Sequence, residues 1–355
     1  MEWRERYPGA GRPSLGVFGA RWGARHLSSI SFLRFSVLFL FIFWAGCGAT
    51  SPLASRDYRQ EMRNFVQNLS AYAKKVRPGF IVIPQNGHEL LLQQIVPERI
   101  AAIDYLKAID AVGQESLFYG YTGDDQATPP DVQRYTASLL DVAKRHGAAV
   151  LVIDYCATPA RVDDSYRQNL ALGYVSLAAD RRTLDNIPAY PARPVQVSQA
   201  DIRLIPDVRN FLYLINPGAF SDRHAFLNAI RKTDYDLVIV DLFFGRESLT
   251  EAEVASLRTK ANGGTRLVVA YMSIGEAEDY RYYWQLAWAQ SPPAWLAEQN
   301  SNWPGNYKVR YWDVGWQDLI YGLNGAYLQR ILDAGFDGVY LDIIDAYAYF
   351  ESGGK

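Results

Sequence analysis

Several apolar, β-branched runs in this chain end in polar groups. In order these groups are Gln85 and Asn86, Glu115, Asp154 and Tyr155, Asn216, Asp241, Tyr271, Ser273 and Glu276, then Asp342 and Asp345. Carboxylates and carboxamides dominate; no histidine stands among them, and the only thiol nearby is Cys156. Two carboxyl groups facing one acetal can hydrolyse a glycoside. One protonates the leaving oxygen, and the other attacks the anomeric carbon or activates water. A single Asp at such a place is most simply a helix cap or a loop ion pair, so the chemistry rests on the whole ring.

Other chemistries find little support. The four histidines (His26, His88, His146, His224) are scattered, and no HExxH, GxSxG, P-loop or GxGxxG string occurs. The carboxylates show no EF-hand-like spacing. Neither a metal nor a cofactor is expected. Two cysteines cannot build a disulfide framework. The 355 residues carry 36 Lys and Arg against 38 Asp and Glu, and the first 46 residues hold six of the arginines but only two acids. The remainder is mildly acidic and lacks the basic footprint of a nucleic-acid-binding protein. With 49% hydrophobic and 21% charged residues the chain is globular rather than disordered or multi-span.

Eight short apolar runs read as buried strands: 80–84, 108–112, 149–153, 174–178, 211–215, 237–240, 267–272 and 338–341. Helical periodicity lies at 53–77, 131–146, 160–172, 222–232, 250–261 and 318–334, with Thr250-Glu-Ala-Glu253 able to open its helix as a capping box. Residues 181–209 hold Pro188, Pro191, Pro194 and Pro206 and read as a connection. Strands apolar on both faces suit a covered parallel sheet. Eight β/α units in this length predict a (β/α)8 TIM-type barrel whose site lies at the C-terminal strand ends; an open doubly wound sheet is second choice. The body opens on a helix without a strand before it and closes on a strand without a helix after it. In a closed barrel that helix can pack behind that strand.

Ahead of the body, FSVLFLFIFWAG (35–46) follows Arg21, Arg25 and Arg34. A basic stretch before a short apolar run is a signal pattern, too short for a spanning helix. It ends at Cys47 in a lipobox-like string, with Trp44 where Leu is usual. The expected organisation is a signal or lipoprotein leader over 1–47, a tether over 48–55 and one barrel over 56–355, in halves 56–180 and 210–355. The body is then extracytoplasmic, secreted, periplasmic or anchored, touching a membrane only through the leader or a lipid on Cys47. Beyond the leader all six Trp fall between Trp284 and Trp316, among many Tyr. Such rings can stack on sugars or pack as a loop core.

DLVIVD (236–241), YMSIGEAEDYR (271–281), WPGNYKVRYWD (303–313) and GFDGVYLDIIDAY (335–347) resemble the endo-α-1,4-polygalactosaminidase family, glycoside hydrolase family 114, and its bacterial extracellular relatives. FIVIPQNGHELL (80–91), AIDAVGQESLFYG (108–120) and VLVIDYC (150–156) resemble the other half of that barrel, but here they come first. The resemblance therefore implies a circularly permuted strand order, with 181–209 joining the family's usual ends.

The resemblance also implies roles. Asp342 stands at the family's nucleophile position and Glu115 at its acid/base position. Asp154, Asp241, Glu276, Asn86, Tyr271, Asp345 and Trp312 would bind the sugar or support that pair. The implied substrate is an α-1,4-linked galactosamine or N-acetylgalactosamine-type polysaccharide, cleaved with retention. A glycosidase on another exopolysaccharide or cell-wall glycan, and a non-catalytic carbohydrate-binding lipoprotein, stand as alternatives.

Overall fold

A computed structural model describes residues 56–95 and 98–354. The expected leader (1–47), its Cys47 and the tether (48–55) lie outside the described residues. Among the described residues no helix is long and apolar enough to cross a membrane.

Eight parallel strands form the frame: β1 (Ile81–Pro84), β2 (Ala111–Glu115), β3 (Ala149–Tyr155), β4 (Val175–Ala179), β5 (Phe211–Leu214), β6 (Leu237–Asp241), β7 (Leu267–Ser273) and β8 (Gly338–Asp342). Strands β5-β6-β7-β8-β1 form one ladder, with β1 beside β8, and β2-β3-β4 form another. The two ladders meet at β1 and β2. Gln85 bridges Gly113, and the Asp110 N–H donates to the Val82 carbonyl at 3.0 Å. The strands thus run side by side in sequence order, and β8 returns to β1. That is a TIM-like α/β arrangement. Between β4 and β5 no ladder forms among the described residues. There the backbone N–H groups of Ile215 and Asn216 donate to the Leu184 carbonyl at 3.1 and 3.2 Å instead.

The first helix, α1 (Tyr58–Val76), buries Met62, Phe65, Val66, Leu69 and Ala73 on one stripe, as its 3.6-residue period requires. It lies between α2 (Ile103–Ala108) on one side and the segment before β8 on the other. The Lys74 ammonium donates to the Ala108 carbonyl at 3.0 Å, and the Tyr72 hydroxyl to Gln329 at 2.8 Å. Arg77 donates to the carbonyls of Leu332 and Phe336 at 3.2 and 2.5 Å. Through these bonds α1 packs against α2 and the segment that leads into β8.

After β2 and β3 come α3 (Pro130–Arg145) and α4 (Pro159–Ala171), each opening on the Pro suited to a first helical turn. After β5 comes α5 (Arg223–Arg231), capped by Asp222, and after β6 comes α6 (Glu251–Ser256), whose capping box at Thr250 and Glu253 is formed. Several expectations change: the strand expected over 108–112 runs over Ala111–Glu115, with Ala108 closing α2. The 250–261 helix ends at Ser256. The 318–334 helix is two helices, α7 (Val314–Ile320) and α8 (Tyr327–Asp333), parted where Gly322 and Gly325 adopt φ of 92° and 80°. A short helix, α9 (Tyr347–Glu351), follows β8, where none was expected.

The segment after β7 forms a small antiparallel sheet of residues 276–278, 306–309 and 296–299. At the opposite, N-terminal strand ends, the Pro-rich connection is pinned by an ion pair. Lys260 reaches Asp236 at 3.0 Å, with both side chains fully buried, and donates to the carbonyls of Ser198 and Ala200 at 2.7 and 2.9 Å.

Candidate active site

The C-terminal ends of β8, β1 and β2 lie side by side and present Asp342, Gln85 and Glu115. Each polar end is followed at once by a left-handed residue: Ile343 (φ 59°), Asn86 (φ 60°) and Ser116 (φ 58°). For a β-branched side chain such as Ile343 this backbone is strained, by about 1–3 kcal/mol. Strain of this kind collects where neighbouring contacts hold a functional side chain in place.

Glu115 is held by three donors. Gln85 Nε2 and Asn86 Nδ2 donate to one carboxylate oxygen at 2.7 and 3.1 Å, and the Tyr155 hydroxyl donates to the other. Asn86 also takes the Glu115 backbone N–H on its Oδ1 at 3.1 Å, so it grips both ends of the residue. Gln85 is itself oriented by the Tyr213 hydroxyl, which donates to its Oε1 at 3.1 Å. Outside Tyr155, the Arg182 guanidinium lies 4.0 Å over the phenol ring and donates to the Gly120 carbonyl at 2.7 Å.

Asp342 has fewer partners. One oxygen accepts from the Tyr271 hydroxyl at 2.7 Å and the other from the Ile343 N–H at 2.8 Å. Burial, and then the charge of Glu115, push its pKa up to about 8, with Tyr271 and the N–H opposing. In the resting site at neutral pH Asp342 therefore keeps its proton. Asp345, one short turn further on, is pushed to about 6, first by burial, against the pull of Lys308.

Asn86, Glu115, Tyr271, Asp342 and Asp345 thus come together as the sequence suggests. Four other expected sugar ligands do not stand open to one. Asp154 is fully buried and turned toward α4. It accepts from the N–H groups of Phe118 and Tyr119 at 2.9 and 3.2 Å, from Ser165 at 2.7 Å and from Asn169 at 3.1 Å. It ties the loop after Glu115 to that helix. Asp241 is spanned by the Arg281 guanidinium at 2.9 and 2.8 Å, and Arg281 continues to buried Glu278. Glu276 is 1% exposed and saturated by Lys308, Asn300 and Asn306. Trp312 packs between Tyr58 and Phe350, with ring centroids 5.1 and 4.7 Å away. Each of these groups already has its partners within the chain.

Four more tryptophans resolve the same way. Trp284, Trp288, Trp295 and Trp316 form a continuous run of ring contacts, with centroids 5.2, 5.0 and 5.1 Å apart. Trp316 is fully buried and donates to the Ile274 carbonyl at 2.8 Å. These rings are the core of the segment after β7. Lys308 faces Glu276, whereas Tyr307, next to it on the strand, packs on Trp284 at 4.7 Å.

Sequence reasoning passed over Tyr213, Tyr340 and Lys308. For the tyrosines a signal existed: Tyr340 precedes Asp342 by two residues on one strand, so both share a face. Lys308 reaches the acids only through the antiparallel excursion, which no local pattern announced. Among the described residues no group of His, Cys, Asp and Glu could hold a metal ion.

Parallel strands in sequence order and a carboxylate pair at their C-terminal ends fit a class found among sugar-cleaving enzymes, the glycoside hydrolases. Residues 224–355 match the model of glycoside-hydrolase family GH114. It is also similar to an uncharacterized protein of Deinococcus radiodurans, 45% identical over 121 residues, covering 34% of this chain and 37% of that protein. Uncharacterized proteins of Methanocaldococcus jannaschii (36% over 137 residues, 38% of each chain) and Thermotoga maritima (35% over 125 residues, 35% of this chain and 37% of the relative) are similar as well. The matched stretch spans little more than a third of each relative. The family match contains Asp342, Tyr271 and Asp345; Glu115 and Asn86 lie outside it.

Proposed function

We propose that this protein is an extracytoplasmic glycosidase acting on an α-1,4-linked galactosamine or N-acetylgalactosamine-type polysaccharide. In this reading Asp342 and Glu115 act together at the mouth of a closed, circularly permuted (β/α)8 barrel. The observation that carries it is the convergence of these two carboxyl groups across β1. Each is followed by left-handed backbone, and the Glu115 charge is felt at Asp342. The packing of α1 against α2 and the segment that leads into β8 supports the permuted order. The polymer comes from the family resemblance, and the location from the leader-like residues 1–47.

A retaining cycle needs one ionised and one protonated carboxyl group about 5 Å apart. At neutral pH the resting Asp342 carries a proton. Substrate entry transfers it to Glu115. The Asp342 carboxylate then attacks the anomeric carbon, while Glu115 gives the proton to the departing glycosidic oxygen. Water next enters, Glu115 takes its proton, and the oxygen displaces Asp342 from the sugar. Lys308 and Asp345 border this space.

Purified protein incubated with α-1,4-galactosaminogalactan tests this, with released oligosaccharides read by mass spectrometry. Oligomers from wild type, and none from Asp342→Asn or Glu115→Gln, are expected. Binding without cleavage would move the protein to a carbohydrate-binding role. Neither binding nor cleavage would move it to another glycan.

A further inference from the structure

Four tyrosines, Tyr155, Tyr213, Tyr271 and Tyr340, stand around the carboxyl pair. Three have tasks: Tyr155 donates to Glu115, Tyr213 to Gln85 and Tyr271 to Asp342. Tyr340 is completely buried, and its hydroxyl has no partner. It lies on β8 two residues before Asp342. Its hydroxyl fills the space over Gly113, which lies on β2 two residues before Glu115. Strand residues two apart share a face, so Tyr340 and Gly113 lie on the faces that carry Asp342 and Glu115, and the charges of Glu115 and Asp342 both reach the idle hydroxyl.

A carboxylate has about four acceptor positions. Glu115 uses three on Gln85, Asn86 and Tyr155, whereas Asp342 uses two, on Tyr271 and its own following N–H. A protonated Asp342 needs no further donor; an ionised one does. The geometry points to Tyr340 as a positioning residue of the pair: its hydroxyl stands idle while Asp342 is protonated and donates to Asp342 once that proton leaves. A buried hydroxyl without a partner is costly. Here that cost falls on the resting state and is recovered when the nucleophile is ionised.

Other groups also face Asp342: Glu115 from β2, Tyr213 from β5, Tyr271 from β7 and Asp345 from the turn after β8. Lys308 and Glu276 in turn face Asp345. None of them changes when Tyr340 loses only its oxygen. Tyr340→Phe is therefore the clean variant, and its melting temperature between pH 5 and pH 9 is the primary reading. At pH 5 the variant melts about 2–4 °C above wild type, because the idle hydroxyl is gone. At pH 9 the gain vanishes or reverses, because ionised Asp342 has lost its donor. With Asp342→Asn in the background the gain is the same at both pH values. A gain that is equal at pH 5 and pH 9 with Asp342 present, or no gain at either, overturns the proposal.

The kinetic arm rests on the glycosidase reading. On a glycan that wild type cleaves, Tyr340→Phe lowers kcat about tenfold or more with KM unchanged, and raises the acidic limb of the pH profile. Unchanged kcat and profile overturn the proposal. Should wild type cleave no glycan, the functional reading fails by itself, and the melting experiment still decides the role of Tyr340.

Discussion

The hydroxyl of Tyr340 occupies the space that any side chain at Gly113 would need. β8 contributes the large residue and β2 the small one, directly under the strand ends that carry Asp342 and Glu115. Gly113→Ala would force Tyr340 to move, and overpacking of a tight core costs about 1–3 kcal/mol. Urea unfolding should show that loss. Tyr340 and Gly113 lie on the faces that carry both carboxyl groups, so activity should fall further than stability predicts.

Asn86 holds Glu115 by its side chain and by its backbone, from a left-handed position that Asn tolerates better than most residues. Asn86→Gly keeps the backbone and deletes the grip. Losing a hydrogen bond to a charged group costs about 1.5–3 kcal/mol, or roughly 10–100-fold in rate. We expect that loss in kcat, with the melting point almost unchanged. Asn86→Ala, which also strains the backbone, should lose both.

Asp342 and Asp345 titrate near 8 and 6 in the folded protein. In the unfolded chain an Asp titrates near 3.9. The folded state therefore holds protons that the unfolded state has lost. The contribution of these two groups to stability is full below about pH 4 and falls as pH rises toward 8. Chemical denaturation across that window should show this decline. Asp342→Asn, which cannot ionise, should flatten the upper part of it.

Asp154 predicts the reverse of a sugar ligand. It satisfies two backbone N–H groups, Ser165 and Asn169 in a fully buried place. Asp154→Ala leaves those donors without an acceptor and should destabilise the fold by roughly 3–5 kcal/mol. Glycan affinity per folded molecule, measured by calorimetry, should stay the same.

Lys260 and Asp236 form a completely buried pair that also anchors the connection at Ser198 and Ala200. Removing one partner strands a buried charge. Lys260→Met should cost about 3–5 kcal/mol, and Lys260→Met with Asp236→Leu noticeably less. Limited proteolysis within 181–209 should accelerate in the single variant.

Much of this protein is local and therefore readable in the chain. Runs such as 237–240 and 267–272 are apolar on both faces, so they had to be parallel strands under helices. The polar residue that ends each run had to lie at one rim of the sheet. That puts Glu115 and Asp342 at one rim from the sequence alone. The Thr250 capping box and the α1 stripe were equally local. The break at Gly322 and Gly325 was visible in composition but outweighed by the periodicity on either side.

Which strand-end acids face a substrate space was decided only by tertiary structure. Asp154 and Tyr155 are neighbours, yet strand alternation sends one to α4 and the other to Glu115. Asp241 and Glu276 look as available as Asp342 in the sequence. Arg281 and Lys308, brought in by the excursion after β7, claim them. A strand's pattern fixes which residues lie at its end. The charge, burial and free lone pairs of those residues depend on partners far along the chain, and only folding brings those partners within reach.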